Sequence, residues 1–109
     1  MGFLRFLALV AAFAALPALA QDAEVLKLTA RDGKFEPAVL EVPAGKRFRL
    51  EVTNENKKAI EFESKDLKQE KVIPAGGKAT VNIGPLKPGE YAYYDEFQEA
   101  TGRGKLVAK

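Results

Sequence analysis

The 109-residue chain contains no cysteine, no histidine and no tryptophan, and its one methionine is the initiator. Without cysteine there is no disulfide framework and no thiolate ligand. Without histidine there is no imidazole to bind a metal or to exchange protons near neutrality. Zinc sites built from Cys and His are excluded, and so is a blue-copper centre, which needs two imidazoles and a thiolate. Triad hydrolysis lacks its usual base, and Ser64 is the only serine. Excess charge of one sign is missing too. The 17 basic and 15 acidic residues leave a net of +2, so no broad basic face argues for nucleic acid.

Long apolar runs are confined to the N-terminus. Arg5 precedes the apolar stretch Phe6 to Leu16, and Ala18-Leu19-Ala20 follows with small residues at alternate positions. This order marks a cleaved secretory signal over residues 1–20, with Gln21 as the first mature residue. The run is short of the roughly 20 residues that a membrane span needs. Residues 21–109 then form one modest domain that is not embedded in a membrane.

That domain reads as short strands. Phe48, Leu50 and Val52 alternate with Arg47, Arg49 and Glu51; Ala79, Val81 and Ile83 alternate with polar neighbours; so do Ile60 and Phe62 with Glu61 and Glu63. Period two is the mark of a half-buried strand, and each buried aliphatic or aromatic side chain contributes roughly 1.5–3 kcal/mol. Further strands are expected at Val25–Ala30, Val39–Val42, Lys71–Ile73, around Tyr91–Tyr93, and at Lys105–Ala108. Turn chemistry separates them at Asp32-Gly33, Pro43-Ala44-Gly45, Asn54-Glu55-Asn56, Pro74-Ala75-Gly76-Gly77 and Pro88-Gly89. About eight strands at this spacing imply an all-β antiparallel sandwich or barrel. One helical turn is expected at Ser64–Gln69. Tyr91 and Tyr93 share a face, and Phe97 is expected to tuck inward.

Other chemistries fail on spacing. Neither Gly45-Lys46 nor Gly77-Lys78 has the upstream glycine or the following Ser/Thr of a phosphate loop, since those places hold Leu40, Arg47, Val72 and Ala79. Paired carboxylates can hydrolyse glycosides, but a domain this small has little room for a sugar cleft. The chain is therefore not expected to be an enzyme.

The most unusual stretch is "YAYYDEFQEATGRG", Tyr91 to Gly104, with Asp95, Glu96 and Glu99 within five residues. Two unit charges 4 Å apart near a surface repel by about 4 kcal/mol at an effective dielectric of 20. Either the carboxylates converge and a cation relieves them, or they splay into water and need none. Glu63, Asp66 and Glu70 read as solvated charges, the last two interleaved with Lys65, Lys68 and Lys71.

The segments "FEPAVLEVPAGKRFRLEVTNENKKAIEF" and "EKVIPAGGKATVNIGPLKPGEYAYYDEFQEATGRGKLV" resemble the two halves of a cupredoxin-like domain. The combination of "FEP…VPAG", "EKVIPAG" and "PGEY" is most similar to the EfeO-type members, periplasmic proteins associated with Ftr-type iron permeases. The resemblance implies a Greek-key β-sandwich with a metal site at one end. It places Glu61 at the first ligand position, Asp95 where copper-carrying relatives have cysteine, and Gln98 near a histidine position. With no nitrogen or sulfur donor, any metal must be held by oxygen from Glu61, Asp95, Glu96, Gln98 and Glu99. Oxygen donors suit iron, Mn²⁺ or Ca²⁺ better than cuprous copper, and no type 1 copper centre is possible. The resemblance also implies a periplasmic location and a membrane iron permease complex, or another uptake component, as partner. The competing reading is a metal-free module that docks to such a partner.

Overall fold

The computed structural model describes residues 23–109. The N-terminal signal expected over residues 1–20 lies outside the described residues. Among the described residues, no helix is long and apolar enough to cross a membrane.

Nine strands run in chain order: β1 (Glu24–Arg31), β2 (Lys34–Glu36), β3 (Val39–Val42), β4 (Phe48–Asn54), β5 (Ile60–Ser64), β6 (Gln69–Ile73), β7 (Lys78–Ile83), β8 (Gly89–Asp95) and β9 (Arg103–Ala108). They form two sheets, a four-stranded one in the order β2-β1-β4-β7 and a five-stranded one in the order β3-β9-β8-β5-β6. The alternation in the sequence places the side chains as expected. Phe48, Leu50, Val52, Val81 and Ile83 are buried from one sheet, and Ile60, Phe62, Tyr93 and Leu106 from the other. Phe35, Phe62 and Tyr93 meet across the sandwich with ring centroids 5.2–6.1 Å apart. Such edge and tilted contacts add to the area buried.

Four details differ from the sequence expectation. The sandwich is mixed, because β1 pairs β4 in parallel and β3 pairs β9 in parallel. The reason is topological. After the β1–β2 hairpin the chain crosses to the other sheet for β3, so β4 returns beside β1 running the same way. β2 is an additional strand of three residues, paired with β1 through a tight Asp32-Gly33 turn in which both residues have positive φ, 52° and 72°. That geometry is the one that matches the twist of a two-residue hairpin. Ser64–Gln69 forms no helix; Lys65 to Lys68 make a turn, and Gln69 already belongs to β6. Ser64 Oγ donates to the Ala92 carbonyl at 2.6 Å and accepts from Leu67 N at 3.0 Å, which closes that turn against β8. Asp66, expected only as a solvated charge, is exposed but also accepts from Ala92 N at 2.9 Å.

Buried Asn54 joins the β4–β5 and β6–β7 connections at one end of the sandwich. Its Nδ2 donates to the carbonyls of Lys58 and Ile73 at 2.9 and 3.1 Å, and its Oδ1 accepts from Asn56 N at 2.9 Å. A buried amide with its partners satisfied holds the loop in one geometry.

Gly104 faces Tyr93 across the β8–β9 ladder, and a Cβ there would sit 2.7–2.8 Å from Tyr93 Oη, Cε1 and Cζ. The ring is wedged against Phe35 and Phe62 and has nowhere to move. Gly104→Ala is expected to destabilise the domain by about 2 kcal/mol, the range of small-to-large changes in a packed core. Thermal denaturation should show a fall in Tm of roughly 10 °C for a domain of this size; an unchanged Tm would mean that the ring is not clamped.

Candidate metal centre

Strand β5 sends Ile60, Phe62 and Ser64 inward and leaves Glu61 and Glu63 on the outer face of the five-stranded sheet. Its neighbours complete a row on that face. The β5–β6 register sets Glu63 opposite Glu70, and the β5–β8 register sets Glu63 opposite Tyr94. At the end of β8 the chain enters a 3-10 turn, Glu96–Gln98, whose first residue swings over the same face. Glu61, Glu63, Glu70 and Glu96 each bring one carboxylate oxygen to a point where all four lie within 4.8 Å of one another. Like charges opposite each other on a sheet are destabilising, so the register alone does not favour this arrangement.

The sequence-derived ligand set divides here. Glu61 and Glu96 are brought together. Asp95 is paired with Phe62 and points inward with it, only 2% exposed. Its Oδ1 accepts from Glu61 N and from Phe97 N, both at 3.0 Å, so it caps the turn and pins it to β5. Gln98 turns to the other side. Its carbonyl accepts from Gly102 N at 2.8 Å, and its side chain lies beside Gly33, where a Cβ would come within 2.7 Å of Oε1. Glu99 sits at the edge, ion-paired with Arg103 at 3.5 Å. Phe97, expected to tuck inward, is 54% exposed. Asp95 already fills the inward slot as cap, and a single turn offers no second one.

Glu63 and Glu70 complete the cluster and were not singled out from sequence. Glu63 was visible, since strict alternation puts it beside Glu61 on one face. Glu70, interleaved with lysines, reads from the sequence as a solvated charge. The signal that finds it is hairpin arithmetic: with a turn of Lys65 to Lys68, Glu70 falls opposite Glu63.

The crowding shows in the titration of the group. Glu61 is pushed up to about 7, first by the hydrogen bond its protonated form makes to Glu70, then by desolvation and by the charges of Glu70, Glu96 and Glu63. Glu96 is raised as well, chiefly through a hydrogen bond to Glu63 and the charge on Glu63. The Tyr94 phenol is raised by desolvation and then by the charges of Glu63, Glu96 and Glu99. Glu63 Oε1 is enclosed and has no hydrogen-bond partner among the described residues. Arg103 lies over the Tyr94 ring at 5.7 Å and is already shared with Glu99, while Lys65 and Lys68 border a depression together with Glu63 and Glu70.

These donors fit a hard cation. Oxygens on opposite sides of an ion bound at about 2.4 Å are about 4.8 Å apart, and carboxylates are the ligands such ions prefer. They do not fit a type 1 copper ion, for which neither thiolate nor imidazole exists in this chain.

A family model described as a cupredoxin-like domain matches residues 4–108. An uncharacterised protein of Rickettsia prowazekii (strain Madrid E) is 35% identical over 82 residues, 75% of this chain, and the match spans 66% of that protein's length. Among solved structures, auracyanin A, a "blue" copper protein from Chloroflexus aurantiacus, superposes with a TM-score of 0.69 at 12% identity, covering 81% of this chain and all of that one. The metal-binding domain of a Cu(I)-exporting P-type ATPase from Streptococcus pneumoniae D39 gives 0.69 at 11% identity, covering 78% and 84%. At such identities these structures share the fold alone with this chain. The match along nearly the whole sequence, on a two-sheet sandwich of this strand order, makes the chain a member of the cupredoxin-like domain family.

Proposed function

We propose that this is an exported metal-handling accessory protein that binds iron, or another hard cation, transiently through Glu61, Glu63, Glu70 and Glu96. It holds the ion as cargo for a membrane iron permease complex or another periplasmic uptake component, and it carries out no chemistry on the ion. One observation carries the reading: four carboxylates bring oxygens within 4.8 Å of one another on a sheet face, and none of the four is held in an ion pair among the described residues. The likeness of "FEP…VPAG", "EKVIPAG" and "PGEY" to EfeO-type domains, together with the signal-like N-terminus, supports iron uptake and a periplasmic location. The oxygen-only donor set supports ferric or ferrous iron, Mn²⁺ or Ca²⁺ over copper.

A second reading, a metal-free docking module, is favoured by Phe97. It stands exposed beside Lys57, Lys58 and Gln98 around a depression of about 290 Å³. Apolar side chains presented this way are common at protein contacts.

Calorimetry separates the two. Anaerobic Fe²⁺, chelated Fe³⁺ and Mn²⁺ should bind more tightly than millimolar. Glu63→Gln with Glu70→Gln should weaken binding at least tenfold, about 1.4 kcal/mol. Asp95→Asn, which keeps the capping oxygen, should leave affinity within about threefold. If the native protein binds none of these ions, or binds equally well after the double substitution, the docking reading stands instead.

Protons compete for the same oxygens. The folded pKa of Glu61, about 7, lies above its ordinary value of 4.5. Between these values the folded state holds a proton that the unfolded chain has released, so without metal, stability should decline as pH rises through this window. Metal affinity should run the other way and increase over the same range. Melting curves at about pH 5 and pH 8, with and without Mn²⁺, read both slopes, and Glu61→Gln should flatten them. A metal-free protein that grows more stable with pH would contradict the shared-proton arrangement.

A further inference from the structure

We propose that the outer face of the four-stranded sheet carries a phosphate-binding groove built on Arg47, Arg49 and Asn82, independent of the carboxylate cluster. The groove has a volume of about 450 Å³ and is lined by these three residues together with Ala23, Gly84 and the edges of buried Phe48 and Ile83. Arg47 and Arg49 project to the same side of the chain entering β4, roughly 6.5 Å apart by strand geometry. The β4–β7 register sets Asn82 opposite Arg49, and one step further sets Gly84 opposite Arg47.

Two features distinguish this groove from an ordinary charged sheet face. The other arginines among the described residues, Arg31 and Arg103, are held in ion pairs, with Glu36 and Glu55 and with Glu99. Among the described residues, Arg47 and Arg49 have no carboxylate oxygen within 4.0 Å. The second feature is Gly84. It lies outside the left-handed region of φ, and a Cβ there would meet nothing within 4 Å. Neither conformation nor packing requires a glycine. Its effect is to leave the floor open opposite Arg47, as happens where a ligand approaches the backbone closely.

Two separate guanidinium forks suit an anion with oxygens in three directions, whereas a carboxylate is satisfied by one. The volume exceeds that of phosphate alone, and Phe48 and Ile83 offer apolar wall. The ligand class is therefore an organic phosphate, whether a free phosphoester or a phospholipid headgroup.

The test is an amide-shift titration of the full chain with inorganic phosphate and glycerol phosphate, beside sedimentation with phosphatidylglycerol and phosphatidylcholine vesicles. Saturable shifts confined to Arg47–Arg49 and Asn82–Gly84 are expected, or binding to phosphatidylglycerol vesicles alone. The first outcome assigns a free phosphoester and the second a headgroup, and both support the groove. Arg47→Gln with Arg49→Gln should weaken whichever binding is seen at least tenfold. Gly84→Leu should do the same while leaving every charge in place; thermal melts confirm that each variant folds. Absence of saturation with every probe, or a Gly84→Leu protein that binds like the native one, overturns the proposal and leaves only diffuse attraction to a basic surface.

Discussion

The carboxylate of Asp95 holds this end of the molecule together. It is buried against the core side of β5, and one of its oxygens accepts both Glu61 N and Phe97 N. A buried polar group is tolerable only when hydrogen bonds satisfy it, and a cap on a short turn supplies them. By facing inward it fixes the direction of its neighbours. Glu61 offers its backbone to Asp95 and its side chain to solvent. Glu96, one residue on, emerges on that same outer side. Glycine at position 102 permits the close approach, since a Cβ there would lie 2.8 Å from Asp95 Cβ.

The outer face of the five-stranded sheet is consequently acidic where β5, β6 and the 3-10 turn meet. Lysines are plentiful in the chain, yet those nearest in sequence, Lys65, Lys68 and Lys71, are exposed and absent from the ion pairs of this cluster. Four carboxylates sharing so small a volume repel, and they relieve the repulsion by sharing protons or a cation. The raised titration of Glu61 and Glu96 is the proton half of that exchange. The family resemblance implied a ligand at Asp95 itself. This chain instead has a structural carboxylate at Asp95 and gathers its hard donors on the sheet beside it.

The acidic cluster and the arginine groove occupy outer faces of opposite sheets. Sheets in a sandwich pack about 10 Å apart, and side chains on both outer faces add to that separation. At physiological ionic strength the screening length is about 8 Å, so the two sites hardly sense each other. A nearly neutral protein can thus present one face to cations and the other to anions.

Residue pattern and composition alone specify the class of fold and the ligand chemistry open to it. Alternation around Phe48–Val52, Ile60–Phe62 and Val81–Ile83 shows which side chains enter a core, because period two specifies a face. The absence of cysteine and histidine removes soft ligands whatever the fold. Alternation says nothing about which strand lies alongside, so the parallel pairing of β1 with β4 and the meeting of Glu70 with Glu63 were decided only in three dimensions. The same holds for the loop after β8. Its acids are plain in the sequence, but whether each faces the core, the cluster or water depends on one buried oxygen. Asp95 took the inward place, Phe97 was left exposed, and Glu96 joined Glu61. Faces follow from local geometry, which a chain encodes residue by residue; neighbours follow from register and crossing, which exist only once the sheets have closed on each other.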